Sequence, residues 1–166
     1  MNTELARRAR EIISNIIYIT IATADKNGQP WNSPVYSAFD ENYNFYWNSW
    51  KESQHSKNIS ENPHVFLAIY NSTLPEGSGA HIGVYVQAKA EIITYPDEIE
   101  TARKILQDRK AKPSSKLRDK NEFLGDYPRR VYRAVPEKMW LNDTGEINGN
   151  YIDKRVEIDL KELRGL

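Results

Sequence analysis

The sequence contains no cysteine, carries no net charge and has no long apolar run. Without cysteine the chain can form no disulfide, thiolate nucleophile or cysteine-ligated metal site. Lys and Arg number 23 and Asp and Glu number 23, so no overall field attracts nucleic acid or an anionic membrane. No stretch approaches the roughly 20 apolar residues of a membrane span, and the charged segment 1–10 lacks the apolar core of a signal peptide. These absences predict a cytoplasmic protein that binds neither nucleic acid nor membrane.

Histidine is scarce too, and no nucleophile or dinucleotide motif is present. The three histidines, His55, His64 and His81, show no metal-ligand spacing, which predicts no metal site. We interpret His64 and His81 as surface or packing residues. No Gly-x-Ser-x-Gly occurs, and no helix-opening glycine pattern follows Gly77. The sequence therefore indicates no side chain as a catalytic acid, base or nucleophile.

What the sequence does have is aromatic residues set in alternating patterns. Aromatics make up 11% of the 166 residues, and several lie in segments with strand periodicity, which favours pleated, half-buried faces. Ordinary core packing accounts for most of these rings. The length fits one domain, so we treat 1–166 as a single unit.

Hydrophobic periodicity predicts strands in the body of the chain and helices at its margins. The predicted helices cover 3–17, 53–62 and 96–110. The predicted strands cover 18–24, 30–39, 45–49, 65–70, 83–94 and 131–141. Pro136 is predicted to interrupt the last of these, which is followed by a turn region over 142–150 and a last strand or charged tail over 151–163. Short turns, including Asn27-Gly28, join the first three strands, so we expect a meander. The expected fold is mainly β, in the α+β sense: a small antiparallel barrel with peripheral helices.

One polar constellation directly follows the predicted strand 45–49. The chain passes from Ser49 into a predicted helix with Ser53 as its N-cap, and Gln54, His55 and Ser56 fall in the first turn. Free amides and the helix dipole attract phosphate at such a place, and His55 would add charge near neutral pH. The alternative is a capped surface helix with a polar face.

Pro34 lies inside the predicted strand 30–39 and removes one backbone donor. The strand must therefore be an edge, contain a bulge, or turn its backbone towards something other than a neighbouring strand. Main-chain groups around Ser33, Pro34 and Val35 would suit the donor and acceptor edge of a planar ring. A plain edge strand is the alternative interpretation.

The order of these segments resembles that of the pyridoxamine 5′-phosphate oxidase family of flavin-binding split barrels. The matching stretches are ATADKNGQPWNSPVYSAFD, FYWNSWKESQHSKNISENPHVFLAIYNS, GVYVQAKAEI and VYRAVPEKMWLND, and HSKNISENPHV before an apolar strand is the most specific piece. The resemblance implies a small antiparallel split β-barrel that binds FMN at the interface of a homodimer. It also implies a flavin-dependent oxidoreductase that acts on a small molecule.

The resemblance further implies which residues hold the flavin. In chain order they are Ser33, Pro34, Val35, Asn48, Ser49, Ser53, Gln54, His55 and Trp140. The first three belong to the strand that lines the ring, and the next two to the strand end beside the ring and ribityl chain. The following three belong to the helix start that holds the phosphate, and the last is an aromatic contributed by the partner subunit. Tyr36 and Trp47 are candidates for the wall of the substrate site, and ordinary core packing is the alternative interpretation of both.

Gln54 and His55 stand where the oxidases of this family carry an Arg-Lys pair, and a neutral to acidic stretch follows Trp140 in place of a basic pair. Fewer charge-assisted contacts predict weaker FMN binding, or a deazaflavin as the cofactor instead. They also predict a substrate other than pyridoxamine phosphate. The alternative function is a non-catalytic carrier or sensor for flavin or deazaflavin.

A third class, a nucleic-acid-binding barrel, would use exposed aromatic residues next to lysine to stack bases. Trp47, Trp50 and Lys51 would form that surface. The zero net charge and the lack of a recognition motif disfavour this class.

Overall fold

A computed structural model describes residues 3–76, 83–109 and 118–165. Gly77 and His81 lie outside the described residues, so what is predicted for them stays a prediction. The helices are α1 (Thr3–Asn15), α2 (Gln54–Glu61), α3 (Pro96–Asp108) and α4 (Leu160–Arg164), with a 3₁₀ helix at Lys120–Phe123. The strands are β1 (Tyr18–Ala24), β2 (Pro30–Tyr36), β3 (Ala38–Phe39), β4 (Phe45–Trp50), β5 (His64–Tyr70), β6 (Gly83–Ile92), β7 (Arg129–Ile147) and β8 (Asn150–Ile158).

The strands form one curled antiparallel sheet in the order β2-β1-β5-β6-β7-β4-β3, with β8 paired to β7. The long β7 has β6 on one side and two neighbours on the other. Its residues 129–134 pair with β4, and residues 139–147 pair with β8. With the helices at its margins, this sheet confirms the predicted fold class, a mainly β split barrel.

The expected meander of the first three strands is wrong. The predicted strand 30–39 breaks at Ser37 into β2, which pairs with β1, and β3, which pairs with β4. The two hairpins therefore lie at opposite ends of the sheet order. Ser37 is buried between these ends: its amide donates to the carbonyl of Ile17 at 2.9 Å, and its hydroxyl donates to the carbonyl of Tyr46 at 3.1 Å. The barrel closes at Ser37, while β2 and β4, both fully described, share no ladder.

The end of the chain also differs from the expectation. The predicted interruption at Pro136 and the turn region over 142–150 are replaced by one strand, which turns at Asn148 and Gly149 into β8. Both turn residues have positive φ, 53° and 76°, as a tight hairpin requires. Pro136 lies where the register between β6 and β7 shifts, and between the segments that pair with β4 and β8. Its missing N–H therefore breaks no ladder there.

The core gathers the inward-facing residues of the sheet and one face of α1, where Leu5, Ala9 and Ile13 are buried as their spacing predicts. A second cluster lies under α3 and includes Ile99 and Leu106. None of the helices within the described ranges is long and apolar enough to cross a membrane.

Trp47 is fully buried and stacks on Tyr132, with ring centroids 5.5 Å apart and planes 9° apart. Its two predicted exposed roles, in a base-stacking surface and in the wall of a substrate site, are therefore wrong. Strand alternation is the reason, because Trp47 faces the core while Trp50 of the same strand is exposed. Tyr36, the other candidate for the wall, is half-buried and donates its hydroxyl to the carbonyl of Leu106 at 3.1 Å.

Candidate functional site

A polar cluster lies between β2 and β4, where the sheet is open. The imidazole of His55, in the first turn of α2, contacts both strands: Nδ1 lies 3.1 Å from the hydroxyl of Ser33 on β2, and Nε2 lies 2.8 Å from the hydroxyl of Ser49 on β4. Ser53 Oγ lies 3.2 Å from the same Nε2 and donates to Ser56 Oγ at 2.8 Å. His55 thus links two strands that have no backbone hydrogen bonds to each other. We call these five residues the His55 cluster.

The side chain of the N-cap residue leaves the first-turn amides of α2 without a capping hydrogen bond. Ser53 has the extended backbone of an N-cap residue, with φ −66° and ψ 152°, but its side chain makes no capping hydrogen bond. Its hydroxyl is engaged by His55 and Ser56 instead. Because no helix can satisfy its first-turn amides internally, these amides are left for another acceptor beside the His55 cluster.

Burial lowers the pKa of His55, so the imidazole is neutral at neutral pH. The positive charge expected of it from the sequence is therefore missing from the free protein. Trp31 Nε1 donates to Ser33 Oγ at 3.0 Å, so this hydroxyl contacts both the indole and Nδ1 of His55. The cluster offers hydroxyl, imidazole and amide donors, and the helix start adds positive potential beside it.

The stability of the protein should fall below neutral pH because of His55. Its folded-state pKa is lowered, whereas an unfolded histidine titrates at about 6.5, so the unfolded chain takes up the proton first on acidification. The free energy of unfolding therefore decreases as the pH falls from about 6.5 to the folded-state pKa, and this loss is complete below it. Urea denaturation of wild type and His55→Gln across this range measures the effect, and we expect a shallower slope in the variant.

The matched control for this measurement is His64→Gln, at an exposed histidine of β5. It should keep the slope of the wild type. A His55→Gln slope as steep as that of the control would contradict the assignment of the acid sensitivity to His55.

A second hydrogen-bonded branch fixes α2 onto β1. Gln54 Nε2 donates to Asn58 Oδ1 at 2.8 Å, and Asn58 Nδ2 donates to Thr23 Oγ1 at 3.0 Å. Asn58 and Thr23 are buried, whereas Gln54 is exposed. Gln54 therefore lies beside the His55 cluster, and its side chain is bonded to Asn58.

Three of these neighbours, Trp31, Asn58 and Thr23, are not among the residues predicted from the sequence. Two of them had a usable signal: Trp31 lies two residues before Ser33 on the same strand face, and Asn58 lies one helical turn after Gln54. Thr23 had none, because its place depends on the pairing of β1 with β2, which sets it opposite Trp31.

Strand alternation separates the residues predicted to line the ring. In β2, Val35 is buried in the core, while Pro34 is exposed on the opposite face. In β4, Ser49 is buried and Asn48 is exposed on the opposite face. The side chains of Pro34 and Asn48 therefore lie outside the His55 cluster. Beside Ser33, β2 can offer a ligand its main-chain groups. Of the three alternatives predicted for the Pro34 strand, the structure shows the edge, because β2 ends the sheet order.

Trp140 shares the outer face of the sheet with Pro34 but lies far from it. The register forms a row across five strands that runs through Pro34, Thr20, Ala68, Tyr85 and Trp140. At about 4.8 Å per strand, Trp140 lies about 19 Å along the sheet from Pro34. Within one chain, the structure does not bring Trp140 to the other predicted site residues.

The His55 cluster fits the phosphate of a flavin mononucleotide as a set of neutral donors. Serine hydroxyls and His55 meet beside the first-turn amides of α2, an arrangement that binds phosphate oxygens. The free edge of β2 supplies unpaired main-chain donors and acceptors for a planar ring. In the part of the chain that is described, no three His, Asp or Glu side chains gather as metal ligands.

Several solved structures share the fold at low sequence identity. A heme-binding protein from Mycobacterium smegmatis has a TM-score of 0.68 and 19% identity, covering 97% of this chain and 60% of that one. The heme storage protein HutZ from Vibrio cholerae has a TM-score of 0.64 and 15% identity, covering 81% of this chain and 92% of its own. An F420 reductase has a TM-score of 0.57 and 20% identity, covering 78% of this chain and 94% of its own. At these identities the likeness establishes the fold alone.

The sequence itself gives the closer relationship. No curated protein sequence matches the chain significantly, but the family model described as pyridoxamine 5′-phosphate oxidase matches residues 5–142. That match spans β1 to β7 up to Asn142 and includes the whole His55 cluster. The chain therefore belongs to the pyridoxamine 5′-phosphate oxidase family.

Proposed function

We propose that this protein binds flavin mononucleotide, with the phosphate at the start of α2 and the ring along β2. The observation that carries the proposal is the His55 cluster. In it, His55 bridges Ser33 and Ser49 across the opening of the barrel, beside first-turn amides of α2 that the N-cap side chain does not bind. The same elements are those in which the family resemblance implies the ring and phosphate contacts. Membership in the family supports a small-ligand site there.

With FMN bound, the protein would act as an oxidoreductase on a small molecule, and the flavin would supply the electron transfer. The chain's own residues bind and orient. The hydroxyls and helix amides take phosphate oxygens, and His55 holds Ser33 and Ser49 at a fixed separation. The backbone of β2 addresses the ring edge. We assign no proton transfer to a side chain.

A second candidate, a non-catalytic carrier or sensor, is favoured by the lack of a cationic side chain in the His55 cluster. Replacing a charge-assisted contact by a neutral one loses on the order of 1 kcal/mol, so FMN would bind more weakly than to an arginine-lined site. A deazaflavin is then a competing ligand. The F420 reductase and heme proteins of similar fold support testing F420 and heme beside FMN.

We also propose a homodimer with the site at the subunit interface. A tryptophan about 19 Å along the sheet from Pro34 cannot close over a ring at Pro34 of the same chain. The Trp140 side chain that closes over the ring therefore belongs to the partner copy.

Titration of the purified protein with FMN, F420 and heme tests the proposed function. Trp31 is half exposed and bonded to Ser33, so we expect its fluorescence to be quenched when FMN binds. Trp31→Phe should remove the part of that quenching that comes from Trp31 and serves as the control. Anaerobic addition of reduced nicotinamide then separates the two candidates, because an enzyme's flavin bleaches and a carrier's does not. Unchanged fluorescence at millimolar FMN would contradict both flavin candidates.

Mixing two variants that each bind FMN poorly tests whether the two subunits build the site together. His55→Ala and Trp140→Ala homodimers each carry two damaged sites, whereas a heterodimer of the two carries one intact and one doubly damaged site. After exchange of subunits, tight FMN binding should therefore reappear in a fraction of the protein. If no tight binding returns although mass spectrometry detects heterodimers, His55 and Trp140 do not meet across an interface.

A further inference from the structure

A cleft with aromatic walls lies on the outer face of β5 to β8. Phe66, Tyr85 and Trp140 come from three neighbouring strands, and Arg155 of β8 completes the lining. The ring centroids of Phe66 lie 6.2 Å from Tyr85 and 6.4 Å from Trp140. Phe66 and Trp140 are stacked, with planes 24° apart. We call these four residues the aromatic cleft.

The volume and shape of the aromatic cleft suit a small ring compound. Its volume is about 460 Å³, within the range of about 300–1,000 Å³ found for small-molecule sites. Ala68, a residue with a small side chain, lies directly across from Tyr85 in the register. Flat rings on adjacent strands stack well against a planar ligand.

Arg155 is the charged side chain that lines the cleft. Its guanidinium lies over the ring of Tyr85, 4.5 Å from the centroid, so the ring holds it in place by a cation–π contact. It also lies 3.7 Å from Asp153, and both side chains are about half exposed. Such an exposed pair contributes little, and the planar fork of N–H donors stays available for a carboxylate.

The charges around the cleft limit what the anion can be. Asp153 flanks Arg155, and Glu157 lies across from Trp140 in the register. Lys138 lies two residues before Trp140 and balances one of these carboxylates. A dianion such as a phosphate monoester would be repelled by the two acidic groups, whereas a single carboxylate matches one bidentate guanidinium.

We infer that the aromatic cleft binds a planar ring that carries one carboxylate. Stacking on the three rings positions the ligand, and Arg155 pairs with its carboxylate. Arg155 lies outside the stretch matched by the family model, residues 5–142, whereas Phe66, Tyr85 and Trp140 lie within it. The assignment of this ligand as the substrate rests on the proposed flavin function, whereas its binding does not.

Calorimetric titration of the full chain with three probes tests the inference. Naphthoate, naphthyl phosphate and naphthylmethanol share one ring system and differ in charge. We expect naphthoate to bind about tenfold more tightly than the neutral alcohol, the effect of one charge-assisted contact, and more tightly than the phosphate. Arg155→Gln should lower the affinity for naphthoate about tenfold and leave that for the alcohol unchanged. Trp140→Leu should weaken the binding of both.

Lys154→Gln is the matched control, since it removes the same charge from the neighbouring exposed residue of β8. It should leave all three affinities unchanged. Equal losses in Arg155→Gln and Lys154→Gln, equal binding of naphthoate and the alcohol, tighter binding of the phosphate, or no binding of naphthoate would each overturn the inference. Naphthoate binding without FMN binding would support the cleft and contradict the proposed flavin function. FMN binding without naphthoate binding would overturn the cleft alone.

Discussion

Replacing His55 with alanine is expected to weaken FMN binding about tenfold or more and to lower the free energy of unfolding by about 1–3 kcal/mol. The imidazole is the hydrogen-bonded link between Ser33 on β2 and Ser49 on β4. Without it, Ser49 loses its 2.8 Å partner while buried at 8% exposure. The two hydroxyls are then no longer held at the spacing that a phosphate needs, so binding and stability fall together.

FMN titration and urea denaturation on the same preparations measure both effects of His55→Ala. His64→Ala is the matched control, because His64 is exposed on β5, and it should change neither quantity. His55→Gln keeps a hydrogen-bonding side chain and should lie between alanine and the wild type. A His55→Ala protein with unchanged FMN affinity would show that the phosphate does not lie at the start of α2.

Replacing Trp47 with alanine is expected to lower the free energy of unfolding by about 3–5 kcal/mol. Trp47 is fully buried and stacks on Tyr132 at 5.5 Å, so the substitution removes the stack and opens a cavity where β4 meets β7. Domains of this kind have a total stability of about 5–15 kcal/mol. Urea denaturation followed by far-ultraviolet circular dichroism should therefore find the midpoint strongly lowered.

Two further variants separate the causes of that loss. Trp47→Phe keeps an aromatic ring on Tyr132 and removes Nε1, which is buried without a hydrogen-bond partner among the described residues. It should therefore lose far less stability than the alanine variant. Trp50→Ala, at a residue of the same strand that is 54% exposed, should stay within about 0.5 kcal/mol of the wild type. If Trp47→Ala and Trp50→Ala were equally stable, the burial of Trp47 would be wrong.

Local patterns were enough to find most elements. The strand 18–24 and the helix after Ser53 agree with the structure to within a residue, because alternation and helix-start signals act over a few neighbours. That the Pro34 strand would be an edge, contain a bulge or turn its backbone away from a neighbouring strand was also predictable, since a missing N–H is a property of the residue itself. The start of α2 was recognised as a polar site because helix-start signals depend on residues that are neighbours in the sequence.

Strand pairing was not predictable in the same way. The meander failed because Ser37 divides one predicted strand between the two ends of the sheet, and only the closure of the barrel gives that serine its partners, Ile17 and Tyr46. The strand over 131–141 was predicted, but its interruption at Pro136 was wrong, because the effect of a proline on a strand depends on which neighbouring strands end beside it. In both places, residues distant in sequence decide whether a local signal interrupts a strand.

The sequence by itself determined a β-rich chain with helices at its margins, a proline-containing strand and a polar helix start after Ser49. Only the tertiary structure decided that His55 joins Ser33, 22 residues earlier in the chain, to Ser49, and that burial keeps it neutral. The tertiary structure alone also buried Trp47 and set Trp140 far along the sheet from Pro34. The physical reason is that periodicity and capping depend on neighbours in the chain, whereas burial, pairing and the pKa of a buried group depend on what the fold brings against them.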